Sequence, residues 1–157
     1  FGYQQMGIPV SGVLDAFAFH SANLLVANAK NSAVMEITVM GPRLEILSPA
    51  DLVVTGADIK MTLNDQPMQT WTSFSVKPGD VLDIQQVKSG CRAYLAVSGG
   101  IHVPAVMGSR STYVGGGIGG YGGRTLKAGD VIACGTSVGA VDMENGQTIV
   151  IDGGMSL

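Results

Sequence analysis

The sequence predicts a mainly β fold, a closed β-barrel with one or two short helices. Apolar runs of strand length follow one another closely along most of the chain. The 23 glycines among 157 residues are about twice the ordinary share, as expected where many strands are joined by tight turns. Because only one segment has clear helical spacing, a barrel is favoured over an alternating α/β sheet.

The helix is predicted over residues 15–27, with Asp15 as a candidate N-cap. Phe17, His20 or Ser21, Leu24 and Leu25 fall on one face of it at helical spacing. Strands are predicted over residues 34–39, 44–47, 52–55, 59–63, 71–76, 81–85, 91–97, 131–134 and 148–151. Residues 64–65 and 88–90 are predicted as turns between strands.

Two predicted turns resemble each other. Residues 76–82 and 126–132 share a Lys-x-Gly-Asp-Val core. In each, the glycine suits the position of a type II turn where φ is positive, and Pro78 presets the position before Gly79. These turns are expected to lead the chain into barrel strands.

Length and charge exclude several classes of protein. A chain of 157 residues predicts a single domain, residues 1–157, with one core. Nine basic against 12 acidic residues, with no basic cluster, make nucleic acid and anionic membranes poor partners. No apolar run has the length of a spanning helix and no secretion signal is recognisable, so the expected location is cytoplasmic. Cys91 and Cys134 are expected to be buried hydrophobes, and the sequence predicts no metal site.

The stretch over residues 92–112 has the composition of an anion site. A buried strand is followed by Gly99-Gly100 and then by a loop containing Ser109, Arg110, Ser111 and Thr112. Guanidinium, hydroxyl and backbone N–H donors of such a loop suit a carboxylate, a phosphate or a carbamate-like group. The alternative is that the hydroxyls close a turn and Arg110 pairs with a surface acid.

Other motifs carry less weight. Residues 115–120 satisfy G-x-G-x-x-G, but the glycines that follow forbid the helix that a dinucleotide site requires. No phosphate-binding P-loop is present, and the surroundings of Lys60 match a biotin-acceptor site poorly. Asp15 has two open interpretations: a helix cap, or a carboxylate at the barrel mouth that acts as a base or accepts from an amide.

Seven segments of the chain form a recognisable pattern when they are taken together. They are residues 7–15, 22–26, 36–38, 41–42, 55–58, 92–112 and 122–124. In this order they resemble the biotin-dependent carboxyltransferase family. This family includes the C subunit of bacterial 5-oxoprolinase, allophanate hydrolase subunit 2, the antagonist partner of a sporulation kinase inhibitor and part of urea carboxylase.

The resemblance implies a cyclophilin-like barrel that works with a second subunit of related fold. Its main implication is a non-autonomous subunit of an ATP-dependent enzyme that hydrolyses the lactam of 5-oxoproline to glutamate. The alternatives are a carboxyltransferase component that uses biotin on a partner, and a non-enzymatic partner of a kinase-inhibitor subunit. This chain itself is expected to bind no cofactor; ATP is used by the complex.

The expected site combines residues of the anion loop with two amide-facing side chains. Arg110 is expected to clamp an anion, with Ser109, Ser111 and Thr112 as further donors. Asp15 and Gln4 are expected to face the amide or lactam of the substrate.

The chain departs from the family pattern in length and order. Family members are about twice as long, with a second barrel-like half. Residues 147–157 resemble the strand and turn with which family members begin. We therefore expect the two termini to lie close together and the strand over residues 148–151 to pair within the barrel.

Overall fold

The computed structural model describes residues 15–102, 126–135 and 147–151. Most regular structure in these ranges is β. The elements are α1 (Ala16–Leu25), β1 (Met35–Thr38), β2 (Arg43–Ile46), β3 (Ala50–Leu63), β4 (Gln66–Met68), β5 (Phe74–Val76), β6 (Val81–Val97), β7 (Val131–Cys134) and β8 (Gln147–Ile151). The prediction of a mainly β fold with a short helix is confirmed.

The strands form one antiparallel sheet built around two long strands, β3 and β6. The order across the sheet is β4-β3-β6-β2-β8-β7, with β1 also paired to β6 and β5 also paired to β3. Within the described ranges no ladder joins β7 to β4, so closure of the sheet into a barrel stays a prediction. The strand predicted over residues 148–151 is present as β8, paired between β2 and β7.

The pairing of β3 with β6 runs from Leu52 opposite Val97 to Leu63 opposite Leu82, and its register shifts between Gly56 and Met61. Such irregularities bend a strand and increase its twist. At Gly56, φ is +95° and an added Cβ would lie 2.5 Å from the carbonyl oxygen of Arg92. Only glycine therefore fits at this position, where the register of the two long strands begins to shift.

Two predicted interruptions are wrong, because the flanking strands continue through them. The runs over residues 52–55 and 59–63 form the single strand β3, and those over residues 81–85 and 91–97 form β6. The predicted turn over residues 88–90 therefore lies within β6. Asp58 pairs with Ser89 and Ile59 with Val87, so the opposite strand supplies the hydrogen bonds of this segment. Gly90, with φ of +93°, adopts a conformation that few other residues tolerate.

The turn at Asn64-Asp65 is confirmed. Both residues have positive φ, 49° and 65°, and the turn joins β3 to β4. Asn and Asp are the non-glycine residues that adopt this conformation most readily.

The two Lys-x-Gly-Asp turns have the same hydrogen bonds. In each, the aspartate N–H donates to the lysine carbonyl at 3.1 Å, and the lysine N–H donates to the aspartate Oδ2 at 2.8–2.9 Å. Gly79 and Gly129 have φ of +91° and +89°. The two turns lead directly into β6 and β7, as predicted.

Apolar side chains pack on both faces of the sheet because neighbouring residues of a strand point to opposite sides. The larger cluster includes Leu52, Val54, Leu95 and Val97, together with residues of β1, β2 and β7. The smaller cluster lies beneath α1 and consists of Ala18, Ala22, Val26, Val53, Tyr94 and Ala96.

The helix forms where predicted, but its buried face is not the expected one. Ala18, Ala22 and Asn23 are its buried residues, whereas Phe17 is 75% and Leu24 77% exposed. The small alanine side chains allow α1 to approach the sheet closely. Thr55 Oγ1, which is buried on β3, donates to the Ala18 carbonyl at 2.7 Å and holds the helix in this orientation.

Candidate functional site

Asp15 is the N-cap residue of α1, and its position is fixed by a hydrogen bond to β6. Its Oδ1 accepts a hydrogen bond from the Ala18 N–H at 3.0 Å, so the predicted N-cap is confirmed. Its own N–H donates to the hydroxyl of Tyr94, a buried residue of β6, at 3.0 Å. Asp15 itself is exposed. A residue of β6 therefore holds Asp15 where its carboxylate is exposed to solvent. The role of Asp15 as a base stays a prediction.

An aromatic pair lies beside the start of α1. The ring centroids of Phe17 and Trp71 are 5.9 Å apart, with 34° between the ring planes. Trp71 lies in the connection between β4 and β5 and has φ of +63°, which is uncommon for a bulky residue. Its N–H donates to the Val54 carbonyl at 2.8 Å, which fixes the backbone in place. The surface next to Asp15 is thus apolar and aromatic.

Asn28 joins the segment after α1 to the end of β6. Its Nδ2 donates to the Val97 carbonyl at 2.8 Å, and its Oδ1 accepts from the Gly99 N–H at 2.8 Å. Asn23, which is buried, accepts from Asn28 Nδ2 at 3.2 Å and donates to the Ser32 carbonyl at 2.9 Å. Two asparagine side chains therefore fix the point where the chain leaves β6 toward the predicted anion loop.

The chain leaves β6 through a tight glycine turn against the end of β7. Gly99 and Gly100 have φ of +86° and +76°, and the Gly100 N–H donates to the Val97 carbonyl at 2.9 Å. The Gly135 N–H donates to the Gly100 carbonyl and the His102 N–H to the Ala133 carbonyl, both at 2.8 Å. This places residues 100–102 beside the last residues of β7.

Asp15 and the exit from β6 lie at opposite ends of the helix. Asp15 precedes α1 and Asn28 follows it, and a helix of 10 residues is about 15 Å long. The other predicted site residues, Gln4, Ser109, Arg110, Ser111 and Thr112, lie outside the described residues. The grouping of Asp15 with the anion loop thus stays a prediction.

Two segments of the family resemblance meet on β1 and β6. Arg92 Nε lies 3.2 Å from Glu36 Oε1, and Arg92 Nη1 donates to Thr38 Oγ1 at 2.5 Å. All three residues are at least partly exposed, so this cross-strand cluster contributes little to stability.

The cysteines and the metal-binding side chains can be assessed in the part of the chain that the structure describes. Burial raises the pKa of the Cys134 thiol to about 12, so Cys134 stays a neutral hydrophobe as predicted. Cys91 is exposed, so the prediction that it is buried is wrong, because it lies on an exposed stretch of β6. Within residues 15–102, 126–135 and 147–151, no three His, Cys, Asp or Glu side chains converge as a metal site would require. No helix in the same ranges has the length and apolar character needed to cross a bilayer.

The roles of Tyr94 and Asn28 in positioning Asp15 and the end of β6 are not among the sequence predictions. The sequence around Tyr94 does indicate a hydrogen bond, since a tyrosine in an otherwise aliphatic buried strand needs a partner for its hydroxyl. The sequence around Asn28 gives no such indication, because its partners Val97 and Gly99 are distant in sequence.

Comparisons with known proteins give one consistent result. Residues 6–152 match the family model described as "Carboxyltransferase domain, subdomain A and B". The chain is 42% identical over 131 residues to "Urea amidolyase" of Lachancea kluyveri, covering 83% of this chain and 7% of that protein. It is also 42% identical over 136 residues to the 5-oxoprolinase C subunit of Escherichia coli K12, covering 87% of this chain and 44% of that protein.

The structural comparison agrees. The solved structure of K. lactis urea amidolyase superposes with a TM-score of 0.81 at 44% identity, covering 83% of this chain and 8% of that one. This chain therefore spans less than half the length of each of these proteins. The agreement of the family model, the relatives and the fold shows that this chain belongs to the carboxyltransferase domain family, subdomains A and B.

Proposed function

We propose that this chain is a subunit of a 5-oxoprolinase-type enzyme, which opens the lactam of 5-oxoproline to glutamate with ATP. The observation that carries the proposal is the similarity to the Escherichia coli 5-oxoprolinase C subunit, which extends over most of the chain. The Asp15 carboxylate is exposed, and the backbone of Asp15 is bonded to Tyr94 of β6. This carboxylate supplies a hydrogen-bond acceptor of the kind that a lactam N–H requires.

The proposed chemistry divides the work between two regions. Arg110, with Ser109, Ser111 and Thr112, stabilises the anion that develops as the lactam carbonyl is attacked. Asp15 and Gln4 orient the amide. The proposal requires these two regions to lie on one rim of a closed, cyclophilin-like barrel.

The subunit does not act alone in this proposal. It works with a second cyclophilin-like subunit in the cytoplasm, the ATP is used by the complex, and this chain binds no cofactor of its own.

A second candidate is carboxyl transfer to urea or a related amide from biotin carried by a partner. It is supported by the urea amidolyase relatives and by the K. lactis structure, whose similarity to this chain is equally high. Both reactions need a polarised amide and a stabilised anion, so the roles proposed for Asp15 and Arg110 apply to either.

The decisive experiment combines the purified chain with its candidate partner subunits. ATP-dependent release of glutamate from 5-oxoproline, insensitive to avidin, is the expected result. Avidin-sensitive carboxylation of urea would instead establish the second candidate. A stoichiometric complex without turnover of either substrate would overturn both and indicate a regulatory partner of a kinase-inhibitor subunit.

A further inference from the structure

The outward side of α1 lacks the charged residues that a solvent-facing helix normally has. Residues 16–25, Ala-Phe-Ala-Phe-His-Ser-Ala-Asn-Leu-Leu, include no Asp, Glu, Lys or Arg. One side of the helix packs on β3 and β6, so the other side would ordinarily be polar. An uncharged helix of this kind is typical of elements that are covered on both sides.

Large apolar side chains occupy this outward side and continue onto the connection between β4 and β5. Phe17 is 75%, Leu24 77% and Leu25 40% exposed, and Trp71, in contact with Phe17, is 39% exposed. We call these four residues the α1 outer surface. Phe17 and Leu24 are two helical turns apart, so the surface extends along the helix for about 10 Å.

Trp71 is held beside α1 by its backbone, whose N–H donates to the Val54 carbonyl at 2.8 Å. Trp71 keeps its ring against Phe17 although its backbone is in the left-handed region, with φ of +63°. For a residue with a side chain this conformation costs about 1–2 kcal/mol. Residues kept in such conformations cluster at functional sites.

We propose that the α1 outer surface is the docking site for a second, non-identical protein chain. This proposal rests on the proposed function, because it assigns the place where the partner subunit of that enzyme binds. The partner's matching surface is apolar and uncharged at its centre. A charge buried against Phe17 and Leu24 would lose its hydration without gaining a counter-ion.

The size of the surface supports a protein rather than a small ligand. The four side chains leave on the order of 400 Å² of apolar area open to solvent. A standard interface buries about 800 Å² on each partner, of which somewhat more than half is apolar. The α1 outer surface therefore matches the apolar part of one ordinary interface, whereas a five-membered lactam would cover only a fraction of it.

Trp71 allows a direct test, since it is the only tryptophan of the chain. Its fluorescence would be quenched with acrylamide in the isolated chain and in the complex with a tryptophan-free variant of the candidate partner. We expect efficient quenching in the isolated chain and at least a threefold smaller quenching constant in the complex.

A substitution gives an independent readout. Leu24→Lys places a charge on this surface, at the last turn of α1, where a cation is favourable for the helix itself. We expect it to weaken the complex at least tenfold without lowering the melting temperature. Val131→Lys, on β7 at 49% exposure, is the matched control and should leave binding unchanged.

Each other outcome is informative. Poor quenching in the isolated monomer would overturn the proposal, because the chain itself would cover Trp71. Protection that appears only with self-association, seen as a mass that rises with concentration, would assign the surface to a second copy. An active complex in which Trp71 remains accessible would overturn the docking site but not the proposed function. A complex that protects Trp71 from quenching but has no turnover would support the docking site and overturn the proposed function.

Discussion

The hydroxyl of Tyr94 accepts a hydrogen bond at 3.0 Å from the backbone N–H of Asp15, so a strand in the middle of the sheet fixes the N-cap residue of α1. Tyr94 is completely buried and packs with Ala18 and Ala22 beneath the helix. The position of the candidate catalytic carboxylate therefore depends on the core of the sheet.

Tyr94→Phe keeps the ring and removes the hydroxyl. The Asp15 N–H then loses its partner, and we expect the free energy of unfolding to fall by about 1–2 kcal/mol, measured by urea denaturation. Faster amide exchange at Asp15 should accompany this change. A loss of stability with unchanged exchange at Asp15 would assign the effect to another contact of Tyr94.

Asp15→Asn separates the two roles of this residue. Asparagine caps a helix as well as aspartate does, so we expect stability to be unchanged, whereas Asp15→Ala should cost about 1 kcal/mol. If Asp15 acts as a base, turnover by the assembled enzyme should fall about 100-fold or more in the Asn variant. Full activity of Asp15→Asn would limit Asp15 to its capping role.

The stability of the turn before β6 should depend on pH through Asp80. The Asn64 side chain donates to Asp80 Oδ1 at 2.8 Å and the Lys77 N–H to Oδ2 at 2.9 Å, and these bonds hold the pKa of the Asp80 carboxyl below its ordinary value of 3.8. A carboxyl whose pKa is lower in the folded state stabilises the fold above the unfolded pKa. Below about pH 4 the unfolded state binds more protons, so this contribution is lost as pH falls toward the folded pKa.

We therefore expect Asp80→Asn to flatten the acid limb of the unfolding free energy between about pH 4 and pH 2. Asn64→Ala should flatten it in part, because the Lys77 bond remains. Parallel acid limbs in the wild-type chain and Asp80→Asn would show that Asp80 has no such role.

Two glycine substitutions should differ in cost because their surroundings differ. At Gly79 an added Cβ meets no atom within 4 Å, so Gly79→Ala is penalised only for its φ of +91°, by about 1 kcal/mol. At Gly56 the Cβ would also collide with the Arg92 carbonyl, and we expect Gly56→Ala to cost about 3 kcal/mol. Gly129→Ala, in the equivalent turn, should match Gly79→Ala in thermal or urea unfolding; equal costs at Gly56 and Gly79 would contradict this account.

The local structure was largely predictable because its signals are local. The cap at Asp15, the turn at Asn64-Asp65 and both Lys-x-Gly-Asp turns depend on residues within a few positions of each other. The breaks predicted around Gly56 and Gly90 failed because a paired strand supplies hydrogen bonds across an irregular residue, which a single run of sequence does not reveal.

The orientation of α1 was not predictable from its own pattern. Both sides of the helix contain apolar residues, and the small side chains of Ala18 and Ala22 face the sheet because Val53 and Tyr94 already fill the space beneath it. Among the residues of the candidate site, Asp15 was correctly predicted to lie at the start of a helix. The grouping of Asp15 with Arg110 stays a prediction.

The distance along the chain between paired strands has a consequence for the order of assembly. The β3–β6 ladder pairs residues 52–63 with residues 82–97. By contrast, Leu44 on β2 pairs with Ile151 on β8, which is about a hundred residues away along the chain. Closing the longer loop costs more chain entropy and comes later in folding. We expect amides of β3 and β6 to gain exchange protection before those of β7 and β8. Until β7 and β8 pair with β2, one edge of the early sheet is open to mispairing.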